Sequence, residues 1–511
     1  MRSISYLIRP WFPLAAALLL ASCGGGGGGG QDGGAPGAVT PLPQTTINST
    51  LPRIEPYDLL LPGSFASLRS ASAAIAEGGT QVRLGPLTAA EWAGVAVDEA
   101  FPGGQPRARQ IGLNRPVSPL SAADDLHALL QWRVLPGGGQ AATLRVRSDG
   151  AAALRLGLAV EGLPPTAVLR IFPAGGGEPL EFTGAELMVD GAGPRNGPRT
   201  LWWSPSVRGD EVALEFVLRA GQEPSALRVT VPQVSHLWVD PGEKGSPLRA
   251  KAGTCNVDAS CQPGAQDDAR SVARMAFVDG SASYLCTGTL MADVQASGTP
   301  YLLSANHCVS NQAAARTLET WWFYQSTACD SGAVDRLRMQ RVIGGATLLH
   351  ASTATDVSFM SLRGTLPVGV RFAGSLLAVP PVGALVSGLH HPSGEPLKYS
   401  EGQVYGYKTC TGDARSGSVR CSTGDSFIEV RWNRGTTELG SSGSALFGTI
   451  ESRRYVTGQL YAGRASCADY NSGAITQEDY YGRLDISYRS KLHEWLGSVP
   501  GAGCPTAGCA P

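Results

Sequence analysis

A serine stands between glycines in Glu438-Leu439-Gly440-Ser441-Ser442-Gly443-Ser444-Ala445, just ahead of an apolar run from Ala445 to Phe447. A nucleophilic hydroxyl suits such a tight backbone, because the amides of Gly440 and Ser442 can face a developing oxyanion. Alone, the pattern is equally that of a flexible Gly/Ser turn. A hydroxyl at its own pKa is also a poor nucleophile, so the chemistry needs a base and an acid to orient that base. Tyr301-Leu302-Leu303-Ser304-Ala305-Asn306-His307-Cys308 places a histidine after an apolar strand, and Thr355-Asp356-Val357-Ser358-Phe359-Met360 sets an aspartate at the head of another. Singly, these read as a structural histidine and a turn aspartate. Together they give His307 as general base, Asp356 as the group fixing its tautomer, and Ser442 as nucleophile, with Gly440 and Ser442 donating to the oxyanion. That chemistry requires no metal and no organic cofactor.

The rest of the chain must supply a compartment and a scaffold. At 511 residues it has room for two or more domains. A formal net charge of −1 leaves no electrostatic footprint for nucleic acid, which is excluded as a partner. With 66 Gly, 35 Pro and only 16% charged residues, turn-rich β structure fits better than helical bundles. Arg2 and Arg9 flank a short apolar core, Leu14 to Ala21, which reads as an export signal over residues 1–22. Leu20-Ala21-Ser22-Cys23 resembles the bacterial lipobox, which implies lipidation of Cys23, anchoring at the cell envelope and outer-membrane sorting; the alternative is an ordinary secretory signal. A glycine run, Gly24 to Gly30, opens a Gly/Pro-rich tether over 23–55. The other ten cysteines all follow residue 254, and an even set in an exported chain reads as disulfides rather than a metal site.

Residues 56–240 alternate apolar with polar or small residues, as in Leu144-Arg145-Val146-Arg147, Leu154-Arg155-Leu156-Gly157-Leu158 and the set Val212, Leu214, Phe216, Leu218. Pro-Gly, Gly-Gly and Asp-Gly turns separate these runs, which predicts a β-sandwich-like accessory or pro-domain. A turn-rich linker covers 241–252. The order His, Asp, Ser is that of the two-barrel chymotrypsin architecture, not of subtilisin or α/β-hydrolase chains. The expected fold is therefore all-β: two six-stranded antiparallel barrels over 253–498 with a C-terminal helix, after the sandwich domain. That helix is expected to be capped by Asp485, to carry Tyr488, Leu492, Trp495 and Leu496 on one face, and to pack on the second barrel; 499–511 forms a tail.

Residues from about Gly253 to Gly497 resemble bacterial lysyl endopeptidases, trypsin-like enzymes that cleave after lysine. The resemblance is carried by Gly253-Thr254-Cys255-Asn256-Val257-Asp258 with Cys261, by Cys286-Thr287-Gly288-Thr289-Leu290, and by Tyr324-Gln325 ahead of Cys329. His390-His391-Pro392, Gly458-Gln459-Leu460 and Tyr481-Gly482-Arg483 complete it. It implies the bridges Cys255–Cys467, Cys261–Cys329 and Cys286–Cys308, leaving Cys410–Cys421 and Cys504–Cys509 as local extras. It also implies a basic P1 pocket with Asp479 as its acid and Glu438 as a wall, because the position six before the serine is Thr436 rather than an acid. Tyr461 stands where the family has a histidine, which puts strict lysine preference in question. Ser441 precedes the nucleophile where trypsin-like zymogens place an aspartate, which argues against activation through an internal ion pair. A basic preference makes Arg249 or Lys251 a self-processing site. The expected partners are protein or peptide substrates. A non-catalytic surface module is the rival reading, opposed by the intact His307, Asp356 and Ser442. An esterase would show a G-x-S-x-G elbow in Ser, Asp, His order, which is absent.

Overall fold

Period-two alternation builds the N-terminal domain. In the strand Gln140–Ser148, Leu144 and Val146 turn inward, and in the strand Glu211–Leu218 Val212, Leu214, Phe216 and Leu218 do the same. These two strands pair in antiparallel register and lie between Thr80–Leu84 on one side and Val168–Pro173 with Leu180–Thr183 on the other. A second sheet runs Trp202–Trp203, Ala153–Gly162, Arg228–Leu237, Arg109–Pro116. Leu154, Leu156 and Leu158 of that sheet share one core with Leu144, Leu169, Ile171 and Phe216 of the first. This is the sandwich that the alternation predicts. The computed structural model describes residues 41–59, 78–93, 95, 107–173, 176, 178–191, 200–242, 252–412, 419–467, 470 and 477–503, all within one contact unit, Ala38–Pro511. The signal segment, Cys23, Arg249, Lys251, Cys504 and Cys509 lie outside these residues.

The second sheet does not end with the domain. Strand Arg109–Pro116 pairs on its free edge with Ala282–Met291, matching Leu113 to Ala282 and Arg109 to Leu285 across a bulge. The outward face of Ala153–Gly162 is spent on the same junction. Arg155, between two inward leucines, points the other way and is 3% exposed. Its guanidinium donates to the Thr317 carbonyl at 2.7 Å and lies 3.4 Å from Glu319. Glu319 also accepts from the Ser206 amide, the Ser206 hydroxyl and Arg341. Burial alone would raise the Glu319 carboxyl, but Arg341 and Arg155 hold it below its ordinary range.

In the C-terminal domain, Val272–Asp279, Ala282–Met291, Tyr301–Ala305, Val357–Leu362 and Ala346–Ser352 form an antiparallel succession, extended by Glu319–Trp322 and Gln340–Val342. The second half is built from Leu385–His390, Lys398–Gly412, Phe427–Arg434, Ala445–Ile450, Arg453–Gly463 and Glu478–Arg483. Gly374–Leu376 pairs in parallel with Arg453–Gly463. Bridges join Cys255–Cys467, Cys261–Cys329, Cys286–Cys308 and Cys410–Cys421. Closing the 212-residue separation of the first is worth about 5 kcal/mol in the chain-entropy account.

Two expectations need correction. The stretch taken as tether to residue 55 is, from 41 onward, fastened to the C-terminal domain: Arg53–Ile54 pairs with Gly374–Leu376, Tyr57–Asp58 pairs with Arg371–Phe372, and Ile47 and Ile54 are buried. Tyr57 stacks on Phe372 at 4.6 Å. The C-terminal helix starts after Arg483, and Asp485 lies in its first turn, binding Arg483 and Arg489 rather than capping. It runs as Leu484–Ser487, a π turn Tyr488–Leu492, and His493–Leu496. Its apolar face shares a core with Ala445, Phe447 and Val456 of the second half and also meets the first, with Trp495 6.0 Å from Phe359 and the Val294 amide donating to the Leu496 carbonyl. Replacing Glu319 with Gln strands the buried Arg155 charge. The urea midpoint of the full chain is expected to fall by an amount equivalent to about 3 kcal/mol, and an unchanged midpoint would refute this account of the junction.

Candidate active site

His307 and Ser442 stand on two loops, and strand Ala282–Met291 holds both. Cys286 bridges to Cys308, the neighbour of His307. The next residue, Thr287, donates its amide to the Ser442 carbonyl at 2.9 Å and its hydroxyl to the Gly440 carbonyl at 2.9 Å. Gly443 has φ of 80°, and a side chain there would run into the Ser304 hydroxyl and come within 2.8 Å of the Ala305 amide. The serine loop therefore passes in contact with the strand that leads into His307.

The Nδ1 of His307 lies 2.7 Å from Asp356 Oδ2, and the His307 amide donates to Asp356 Oδ1 at 3.0 Å. The carboxylate thus holds His307 by its ring through Oδ2 and by its backbone through Oδ1, leaving a buried Nε2 with no hydrogen-bond partner among the described residues. Burial pushes the Asp356 carboxyl up, and His307 draws it back down. Asp356 itself has φ of 55°, a left-handed conformation that costs an aspartate about 1–2 kcal/mol. Neighbours hold it there. Its carbonyl accepts from the Asn306 amide at 2.7 Å, and the preceding Thr355 carbonyl accepts from Gln459 Nε2 at 2.6 Å.

The turn before Ser442 is set by neutral groups. The Ser441 hydroxyl pairs with His390 Nδ1 at 2.8 Å and accepts from the Glu438 amide at 3.2 Å. Burial holds His390 and His391 down at about 3, so both are uncharged near neutral pH. His391 pairs through Nδ1 with the Glu395 carbonyl and donates its amide to Thr287. Both histidines thus brace the backbone around this turn. Tyr461 lies edge-on to His307 with ring centroids 6.3 Å apart and packs on Phe427. Burial, with the Asp356 charge nearby, pushes its hydroxyl up to about 12.

Asp479 is 1% exposed, and its Oδ2 accepts from Trp432 Nε1 and from the Thr437 hydroxyl, both at 2.6 Å. A side chain at Gly463 would collide with Oδ1, so the glycine is what lets this carboxylate sit there. Burial pushes its carboxyl up to about 6 against the pull of Thr437 and Trp432. Thr436 is buried and donates to Gln477. Glu438, expected as a pocket wall, spends Oε2 on the Gly253 amide at 3.1 Å and on Asn256 Nδ2 at 2.9 Å. That ties down the start of the C-terminal domain beside the Cys255–Cys467 bridge, so its role as a wall is not what its contacts express.

Three participants carried no role in the sequence reading. Thr287 and Gln459 fall inside the quoted motifs, but only the folded chain shows what they hold. The third is Arg107: the Ser442 hydroxyl donates to its carbonyl at 3.2 Å, across a separation of 335 residues. No local pattern signals such a contact.

A family model described as the lysyl endopeptidase C-terminal domain matches residues 249–482, and one for the lysyl endopeptidase N-terminal domain matches residues 83–238. The lysyl endopeptidase of Pseudomonas aeruginosa is 34% identical over 369 residues, covering 69% of this chain and 74% of its own. This chain belongs to the lysyl endopeptidase family. It is a serine endopeptidase, and its sandwich is the family's N-terminal domain. Among solved structures it overlaps the Rv3671c protease from M. tuberculosis in its active form, at 14% identity and TM-score 0.30, covering 52% of this chain and 98% of that one. A thermostable serine protease, AL20, overlaps at 16% identity and TM-score 0.28, covering 43% and 93%. Replacing Gln459 with Leu removes the donor that seats Thr355 and hence Asp356. The expected effect is about a 10- to 100-fold lower kcat with little change in KM, read on a peptide ester; an unchanged kcat would refute a positioning role.

Proposed function

We propose that the chain is an exported endopeptidase that cuts after Lys or Arg through an acyl-enzyme. The observation that carries this reading is the doubly held His307–Asp356 pair beside the Ser442 loop. In the proposed cycle His307 Nε2 takes the Ser442 proton and later gives it to the leaving amine, while Asp356 keeps the imidazole oriented. The amides of Gly440 and Ser442, in a turn braced by Thr287, serve as the oxyanion hole. Asp479 supplies the negative charge for a basic P1 side chain. Support comes from its burial and from Trp432 and Thr437, which aim the carboxylate. Tyr461 borders the site at the position of the family's histidine. The four disulfides support export, and among the described residues no helix is long and apolar enough to cross a membrane. Anchoring through Cys23 remains part of the proposal.

Three measurements test it. A fluorophosphonate is expected to label the processed protein at Ser442 and not the Ser442→Ala variant; no labelling would refute the mechanism. The Lys preference over an uncharged P1 analogue should weaken as pH falls through about 6, because Asp479 must be ionised to hold a cation. Asp479→Asn should flatten that pH dependence and remove the preference, whereas a retained preference would move the pocket elsewhere. Stability carries the opposite sign. The folded state holds the Asp479 proton more tightly than the unfolded chain, whose ordinary value is 3.8, so that contribution is present below this value and lost as pH rises through about 6. Asp479→Asn should therefore gain stability relative to wild type between pH 4 and 7, as read by urea midpoints. A constant difference across that range would contradict the burial of a shifted carboxyl.

A further inference from the structure

We propose that the Arg107–Ala108 peptide bond lies in the protein's own active site as a substrate and is cut there by Ser442. The proposal rests on the serine-endopeptidase reading above and adds a cleavage site within the N-terminal domain.

The first support is position. The Ser442 hydroxyl donates to the Arg107 carbonyl oxygen at 3.2 Å, which sets this peptide group beside the serine. The second is register. From Arg109 onward the chain runs antiparallel to Ala282–Leu285, with Arg109 opposite Leu285, the residue before Cys286. Addition of an extended segment to a sheet edge is a general way of presenting a peptide, and this edge leads directly to the bridge that pins the His307 loop. Ala108 belongs to the same buried cluster as Cys286 and Cys308. The third is chemistry. Arg107 is a basic residue on the acyl side of the bond, the type proposed for P1. Arg109 is held by a different contact, donating from Nη1 to the Ser393 hydroxyl at 3.0 Å. The cost of this arrangement is access: Ser442 is 7% exposed, so the nucleophile is covered by its own chain.

The step balances with water as the second reactant. The Ser442 hydroxyl turns from the Arg107 carbonyl oxygen to His307 Nε2, and Oγ bonds to the carbonyl carbon as the proton passes to that nitrogen. The Arg107–Ala108 bond breaks, and His307 gives the proton to the Ala108 nitrogen. Water then attacks the ester, leaving an Arg107 carboxylate and restoring the Ser442 hydroxyl. After the cut, strand Arg109–Pro116 is still paired on both edges and Arg155 is still bound to Glu319. The new amino terminus therefore stays with the protease. This cut differs from one at Arg249 or Lys251, which would sever the whole N-terminal domain.

Amino-terminal sequencing of purified full-length protein tests the proposal, with fluorophosphonate labelling run on the same samples. Wild type is expected to yield a chain beginning Ala108-Arg109-Gln110-Ile111-Gly112, which Ser442→Ala lacks. Arg107→Lys should keep that terminus, and Arg107→Gln should lose it. Labelled, active wild type without an Ala108 terminus would overturn the proposal and leave the endopeptidase reading intact. A terminus at Gln110 would overturn the register. An Ala108 terminus of equal yield in Ser442→Ala would overturn self-cleavage. No labelling of wild type would overturn the underlying reading, and the proposal with it.

Discussion

The hydrogen bond from the Thr287 amide to the Ser442 carbonyl joins the two halves of the site. It belongs to a strand with several obligations that together leave it little freedom. Ala282–Met291 pairs with Val272–Asp279 on one edge and, along its length, with Arg109–Pro116 and then Tyr301–Ala305 on the other. Cys286 binds it covalently to the histidine loop, and the Thr287 hydroxyl reaches the Gly440 carbonyl. A shift of one residue would exchange the faces of every side chain on it. The same strand therefore fixes the distance between the two loops and the place where the N-terminal domain enters. Site assembly and site coverage are set by one register.

Buried charge is handled differently at each point of the molecule. Glu319 is surrounded by Arg155, Arg341 and Ser206 and stays ionised. Asp485 is held the same way by Arg483 and Arg489, with burial opposing and the arginines prevailing. Among the described residues the donors to Asp479 are neutral, Trp432 and Thr437 foremost, and burial wins, pushing it up to about 6. A carboxylate given hydrogen bonds but no cation is incompletely compensated. Within the proposed pocket, that deficit is what a substrate's ammonium or guanidinium would relieve. The contrast with Glu319 separates a structural ion pair from a buried carboxylate bound by neutral donors.

Legibility followed how far each constraint extends along the chain. The order of His307, Asp356 and Ser442 and the cysteine motifs are linear patterns, and the sandwich is visible through its leucines and valines. Arg155 was not legible, because a polar residue between two leucines reads as a solvated face. Only the docked domain turns that face inward. Strand Arg53–Ile54 is two residues long in a Pro/Thr/Ser-rich stretch, too short to show a period. The helix face Tyr488, Leu492, Leu496 lies in one core with residues of both halves, since an apolar stripe does not say all that it will meet. The role of Glu438 was misread for a similar reason: a motif gives residue types, while its contacts with Gly253 and Asn256 depend on chain 182 or more residues away.

In the proposed mechanism, the residue before Ser442 bears on how its turn is held. An aspartate there would need a cation, and a new amino terminus is the usual one. Here Ser441 bonds a histidine kept neutral by burial, so the turn needs no external charge to form. The Gly440 and Ser442 carbonyls are already held by Thr287 while the N-terminal domain is attached. Asp356 likewise sits in its left-handed conformation with His307 bound. Conversion from an unassembled to an assembled site is therefore not what distinguishes this state. Under the proposed self-cleavage the distinguishing feature is occupancy: strand Arg109–Pro116 pairs along Ala282–Leu285, and the Arg107 carbonyl meets the Ser442 hydroxyl. Control by occupancy has a different physical signature from control by assembly. It depends on the stability of the domain junction, and so on Arg155, Glu319 and the shared sheet, rather than on any group within the catalytic machinery.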